Sequence, residues 1–350
     1  YNKRYNKEQK NTFLLLIRGK MKMKITPPAI DRQTFGLVRS KWLHTLYKWK
    51  LIDASYAIIL VILDATVVHW AHPYERQFTI NDITISHPFA EHEHVPASML
   101  LILIIAIPPV VFFVVDMLFT PRGHRLYLFY ISYLGFAVSV ITCDLIVETM
   151  KNWIGRCRPD FLARCIPSDD AVADTLYYAS EICTTKNVSR LLDGFRTTPS
   201  GHSSMAFSCF GYLTLWMLGQ FLGCSCNYVG AWRFLVSFVP SLFAAYVACS
   251  RTQDYRHHFV DVILGSSIGW LMAWWSYRRY FPSVFNRSSY VPSIILDISK
   301  HGLDDIQTHD FYNEHSSDME GFDLESRGAD MSSEANTSST APLNYDRDVI

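Results

Sequence analysis

Three short segments, far apart in the chain, carry residue types suited to handling a phosphoryl group. The first is residues 151–159, KNWIGRCRP. Lys151 and Arg158 stand seven residues apart, so the spacing predicts two turns of one helix with both charges on one face. They would then lie roughly 10 Å apart along the axis, with Pro159 ending the helix. The second is Pro199-Ser200-Gly201-His202, directly ahead of an apolar run. Ser200 is a good helix N-cap, Gly201 lets an anion approach the free backbone N–H groups, and His202 in the first turn is placed to donate a proton. The third is Ser250-Arg251, then His257, His258 and Asp261. At i and i+4, His257 and Asp261 are expected to share a helix face. A carboxylate on one ring nitrogen fixes the tautomer and raises the basicity of the other, which makes a nucleophile of the imidazole.

Taken singly, each segment has a structural explanation. Cations at a helix C-terminus complement its dipole, Ser-Gly-His is an ordinary helix start, and Arg256 and Asp254 suit a solvated turn. Together they supply three cations (Lys151, Arg158, Arg251), a helix N-terminus, two histidines and a carboxylate. That inventory matches phosphoryl transfer, where charge spread over the equatorial oxygens needs electrostatic support and little else. One obvious carboxylate, Asp261, makes no magnesium cage, so neither a metal nor another cofactor is expected.

The elements that must position these residues are apolar. Six runs stand out: 51–70, 96–119, 126–150, 203–222, 234–249 and 259–277. A bilayer core needs about 20 helical residues, and none of the runs alternates strictly, so helices are expected rather than a barrel. The fold class is therefore all-α, a polytopic bundle of six transmembrane helices. Hydrophobic residues make up 49% of the 350 and charged residues 18%, below the usual share of a soluble domain.

Charge is unevenly placed. Residues 1–50 are basic, Arg122, His124 and Arg125 follow the second run, and Arg278 and Arg279 follow the sixth. Positive residues mark the cytoplasmic side, so both termini are expected there. The loop bearing Glu75, Glu91 and Glu93, the loop 151–201 and the turn 250–258 then fall together on the lumenal face. All three chemical segments lie on that face. No cleaved signal is evident, so the first run is expected to act as a signal anchor. Residues 282–350 are polar and acidic and are expected to form a disordered cytosolic tail, leaving 51–281 as the catalytic domain.

Other features are left open. Asp53, Asp116 and Glu148 sit near run ends, whereas Asp64 and Asp144 lie deeper, in structural pairing or in function. The cysteines show no metal spacing, Cys224-x-Cys226 included, but Cys165 and Cys183 share the lumenal loop, where a disulfide can form.

Lys151-x6-Arg158-Pro159, Pro199-Ser200-Gly201-His202 and Ser250-Arg251-x5-His257-x3-Asp261 resemble the three-part signature of the type 2 phosphatidic acid phosphatase superfamily, over about residues 49–280. Residues 250–265 (SRTQDYRHHFVDVILG) and 78–94 (FTINDITISHPFAEHEH) are similar to a narrower fungal branch, the diacylglycerol pyrophosphate phosphatases. The resemblance implies a vanadium-haloperoxidase-like bundle and metal-independent hydrolysis of diacylglycerol pyrophosphate, phosphatidate and related membrane lipids. It implies His257 as nucleophile through a phosphohistidine, Asp261 as its orienting partner and His202 as acid and then base. Lys151, Arg158 and Arg251 would hold the phosphate, with Ser200 and Gly201 helping. His258 projects away from the nucleophile on a helix and is expected to stay off the substrate. The fungal branch suggests a vacuolar or Golgi-type membrane and no nucleic-acid partner. Asn187-Val188-Ser189 is a lumenal glycosylation triplet. Headgroup transfer to a lipid hydroxyl uses the same chemistry, and some superfamily members are non-catalytic, though those typically lack signature residues present here.

Overall fold

A computed structural model describes residues 45–46, 48–68, 71–222 and 230–300. Most of the basic N-terminal segment, Cys224, Cys226 and the acidic tail past residue 300 lie outside the described residues. The described chain is helical, with only two isolated β-bridges, Phe78 to Tyr177 and Pro167 to Cys183. In chain order the helices are α1 (Leu51–Leu63), α2 (Ala97–Phe119), α3 (Arg125–Ile154), three short helices α4 (Phe161–Cys165), α5 (Ala179–Ile182) and α6 (Val188–Asp193), then α7 (Gly201–Leu222), α8 (Ala231–Gln253), α9 (Phe259–Tyr280) and α10 (Ser293–Lys300). A five-residue π-helical stretch extends α1 to Val68.

The long helices fall on the six apolar runs. Four of them, α2, α3, α8 and α9, are long and apolar enough to cross a membrane. The chain forms a helical membrane bundle. On the outer helices large apolar side chains face outward, among them Ile102, Ile105 and Phe113 of α2, Leu235 and Leu242 of α8, and Ile263 and Leu271 of α9. A soluble protein seldom leaves so much apolar surface uncovered.

Helix α7 differs. It packs against α2, α3, α8 and α9 and is buried along nearly its whole length. Ser203, Ser204, Ser208 and Thr214 on it are fully buried. A helix surrounded by helices uses small and weakly polar residues for close approach and interhelical hydrogen bonds, which lowers its hydropathy. Ser208 meets Ser139 of α3 at 2.8 Å, Trp216 donates to Ser132 of α3 at 2.8 Å, and Thr214 meets Ser241 of α8 at 2.7 Å. Its tightest partner is α9. A methyl group added at Gly265 would collide with the Ser200 backbone, and one at Gly269 with the backbone of Ser204. Of the acidic residues in the spans, Asp53 is paired across helices, accepting from Arg279 at 2.6 Å and from the Tyr280 hydroxyl at 3.1 Å.

The bundle continues past the expected boundary at 281. Phe281, Val291, Ile295 and Leu296 are buried, and Ser289 donates to the Gly219 carbonyl at 2.7 Å. The apolar run 290–296, YVPSIIL, is enough to dock this segment, although the stretch 282–350 as a whole is polar and acidic.

Two segments, 71–96 and 155–200, form a cap with its own small core of Phe78, Ile85, Phe161, Ile182 and Phe195. Phe161 packs edge-on to Phe78, with ring centroids 4.8 Å apart. Cys165 and Cys183 are disulfide-bonded and tie α4 to the strand of chain after α5.

Candidate active site

The cap and the adjoining helix ends enclose a cavity of about 720 Å³. Six of the eight expected site residues line it: Lys151, Arg158, Gly201, His202, Arg251 and His257. They arrive from the end of α3, the loop behind it, the start of α7, the end of α8 and the turn before α9. The three segments separated in sequence thus meet at one wall. The lining also carries apolar side chains, Leu100, Leu101 and Ile104 from α2 and Met205 from α7. Such a cavity suits a molecule with a charged head and an apolar body.

Two local expectations fail for the same reason: the helices stop short. Helix α3 ends at Ile154, and Gly155 closes it with φ 58°, a left-handed cap that glycine adopts without strain. Arg158 therefore reaches the cavity from a loop and shares no helix face with Lys151. Helix α9 begins at Phe259, so His257 precedes it and is not one turn from Asp261.

Asp261 consequently does not touch His257. Its carboxylate forms a capping box with His258 at the start of α9, and it accepts from Thr198 at 2.6 Å, Thr197 at 2.8 Å and Arg156 at 3.2 Å. The nucleophile candidate is held instead by Thr197, whose carbonyl lies 2.7 Å from His257 Nδ1. A carbonyl only accepts, so Nδ1 carries the proton and Nε2 keeps its lone pair. The Thr197 hydroxyl, which donates to Asp261, also sits 3.2 Å from Nδ1. Asp261 thus acts on His257 through Thr197. Burial first, then the charges of Arg158 and Lys151, holds the His257 pKa well below the ordinary imidazole value, which keeps the ring neutral.

Ser200 also lies behind the wall. Its hydroxyl caps α7, accepting from the Ser203 amide at 3.5 Å and the Ser203 hydroxyl at 3.0 Å. Gly201 does line the cavity, and its missing side chain makes room for a cation: a methyl there would collide with the Lys151 ammonium. His202 faces the same space, and its buried Nε2 has no hydrogen-bond partner within the protein. His258 stays off the wall, as expected; its Nε2 lies 3.2 Å from the Thr84 carbonyl.

Each motif cation shares a carboxylate with a second arginine. Glu148 pairs with Lys151 and with Arg196. Asp193 joins Arg158 at 2.8 Å to Arg164 at 2.8 Å. Glu93 joins Arg251 at 2.8 Å to Arg256 at 2.6 Å. Burial alone would push the Glu93 carboxyl up, but the bond from Arg251 and the charges of Arg256 and Arg251 outweigh it and hold it below the usual range. Asp193 is held down in the same way by Arg158 and Arg164 against its burial. Seven cationic side chains line the cavity against four carboxylates, so it favours an anion. Sequence reasoning missed Thr197, Arg164 and Arg196 as contributors, and the turn it expected to be solvated is not: Arg256 and Asp254 are both buried. Thr197 lies close to a motif in the chain, but nothing in its residue type marks the contact.

A helical membrane bundle whose cavity joins an apolar wall to clustered cations and two histidines defines a class of membrane enzymes that handle phosphate esters. The chain belongs to the PAP2 superfamily, whose family model matches residues 132–284. It is 46% identical over 262 residues to diacylglycerol pyrophosphate phosphatase 1 of Saccharomyces cerevisiae, covering 75% of this chain and 89% of that protein. It is 40% identical to the probable diacylglycerol pyrophosphate phosphatase 1 of Schizosaccharomyces pombe, over 68% of this chain and 84% of the relative. Lipid phosphate phosphatase 1 of Arabidopsis thaliana is 30% identical over 67% of this chain and 70% of its own length. No solved structure matches the chain.

Proposed function

We propose that this protein is a metal-independent lipid phosphate phosphatase acting on diacylglycerol pyrophosphate, phosphatidate and related lipids through a phosphohistidine. The observation that carries the mechanism is the hold on His257, whose Nδ1–H donates to the Thr197 carbonyl at 2.7 Å while the ring lines a cationic cavity. Nε2 attacks phosphorus as the bond to the lipid oxygen breaks, and His202 gives that oxygen a proton. Water then attacks the phosphohistidine, passes a proton to His202 and releases orthophosphate as the P–N bond breaks. Lys151, Arg158 and Arg251 stabilise the equatorial oxygens at both stages.

Metal independence is supported by three of the four carboxylates at the cavity: Glu93, Glu148 and Asp193 are each engaged with two cations, which leaves Asp144 as a lone carboxylate. The lipid preference is supported by the names of the relatives and by the apolar wall of the cavity. Six helices crossing the membrane, both termini cytoplasmic and the site on the lumenal face of a vacuolar or Golgi-type membrane complete the reading. The disulfide at the same end as the cavity supports that face, because such bonds persist in oxidising compartments.

The test is phosphate release from diacylglycerol pyrophosphate and phosphatidate in detergent micelles with EDTA, for wild type and His257→Ala. Wild type should release phosphate despite the chelator, and the variant should fall by at least about a thousandfold, the usual loss for a covalent nucleophile. Inactive wild type on both lipids would sink the substrate reading, and an active variant the nucleophile.

A further inference from the structure

Phe89, in the segment 78–94 that the catalytic steps leave unused, carries three guanidinium groups on its ring. Arg190 lies 3.5 Å from the ring centroid, Arg256 4.3 Å and Arg164 5.0 Å. All four residues line the cavity that holds His257 and His202. Arg164 and Arg256 have carboxylate partners in Asp160, Asp193 and Glu93. Arg190 makes no ion pair among the described residues, and its Nε, like that of Arg256, is buried without a hydrogen-bond partner. Like charges gathered this closely repel, and the aromatic face offsets only part of that repulsion. Unspent donors on Arg190 and Arg256 fit an anion with several oxygens, whereas Arg164 is engaged at all three nitrogens and adds its charge.

We propose that Arg190 and Arg256, gathered with Arg164 on Phe89, form a second phosphoryl-binding subsite beside the nucleophile. The subsite rests on the phosphatase reading of the neighbouring wall and deepens it. Its ligand is a phosphoryl group from one of two sources: the second phosphate of a diphosphate lipid, or the orthophosphate that hydrolysis releases. Arg256 adjoins His257 in the chain, and Glu93 links it to Arg251 of the motif, so the two anion sites are coupled through shared carboxylates.

The experiment uses the full chain in detergent micelles and the variants Arg190→Gln and Phe89→Leu. The second variant removes the ring and leaves every charge, and it serves if the first does not fold. Three quantities are read: the ratio of kcat/KM on diacylglycerol pyrophosphate to that on phosphatidate, the inhibition constant of orthophosphate, and the rise in melting temperature that inorganic pyrophosphate produces. Arg190→Gln should lose most of the pyrophosphate stabilisation. A fall of about tenfold in the ratio, the lower range for one charge-assisted hydrogen bond, identifies the substrate's second phosphate as the ligand. A similar rise in the orthophosphate constant at an unchanged ratio identifies the released product instead. Equal losses on both lipids, or no change in any of the three, overturns the subsite. Wild type that turns over neither lipid sinks the phosphatase reading alone, since the melting shift needs no turnover and still decides the subsite.

Discussion

The cavity holds two sets of cations with the same chemistry and different work. Lys151, Arg158 and Arg251 belong to the motifs; Arg196, Arg164 and Arg256 line the same cavity and share Glu148, Asp193 and Glu93 with them. In the proposed mechanism the motif set meets the reacting phosphate. The partner set holds the carboxylates that hold the motif set, so its effect on that phosphate is indirect. A cationic side chain beside a phosphate site is therefore not by itself a catalytic one.

The comparison breaks or sharpens under substitution. Arg251→Ala should lower kcat/KM on phosphatidate by about 10²–10³-fold, as loss of a charge that stabilises the transition state does. Arg196→Ala should cost only about tenfold, because it removes a partner of Glu148 and leaves Lys151 in place. Equal losses in steady-state assays of the two variants would abolish the distinction between the sets.

Thr197→Val should give a loss similar to that of Arg196→Ala, about tenfold, since it removes the hydroxyl between Asp261 and His257 but keeps the backbone carbonyl on Nδ1. The wild-type pH profile follows from the same contact. Acid protonates Nε2 and removes the nucleophile, and the His257 pKa lies below its ordinary value. Single-turnover phosphoenzyme formation should therefore show no loss as pH falls from neutrality through about 6.5, where free imidazole titrates, because His257 stays neutral there while His202, the proton donor of the same step, gains protons. A limb at or above 6.5 assigned to His257 would contradict the buried, cation-flanked ring.

The smallest effect on turnover is expected in the cap. The bond between Cys165 and Cys183 closes a separation of 18 residues, so Cys183→Ser should destabilise the cap by about 3 kcal/mol in the loop-entropy account. Denaturant or thermal unfolding in micelles would measure it, with kcat on phosphatidate changing only a few fold. A larger loss of activity than of stability would place the disulfide among the elements that shape the catalytic wall.

Much of the fold was legible because the bilayer imposes it. Apolar runs of span length had to be helices, and they fall where hydropathy put them. The motif cations and both histidines were legible because they recur in a known pattern. What could not be read was how they meet. Helical spacing argued for Lys151 with Arg158 and for His257 with Asp261, yet a left-handed Gly155 and a helix start at Phe259 undo both. The partners that replaced them come from far away: Glu93 reaches Arg251 across 158 residues and Thr197 reaches His257 across 60. No local periodicity encodes such contacts. Residues 282–296 were missed for a different reason, since their apolar side chains were averaged into the long polar and acidic stretch that follows them.

The order of residues along the chain has a consequence for synthesis. The wall draws on α3, α7, the end of α8 and the turn before α9, and Asp261, which anchors Thr197 and Thr198, lies within α9 itself. A ribosome that has finished α7 has made the first two motifs but neither the nucleophile nor the carboxylate that orders the chain around it. On the proposed mechanism, nascent and prematurely terminated products should be inert toward the lipids of the membrane they enter, with activity expected only once the last long helix docks on α7.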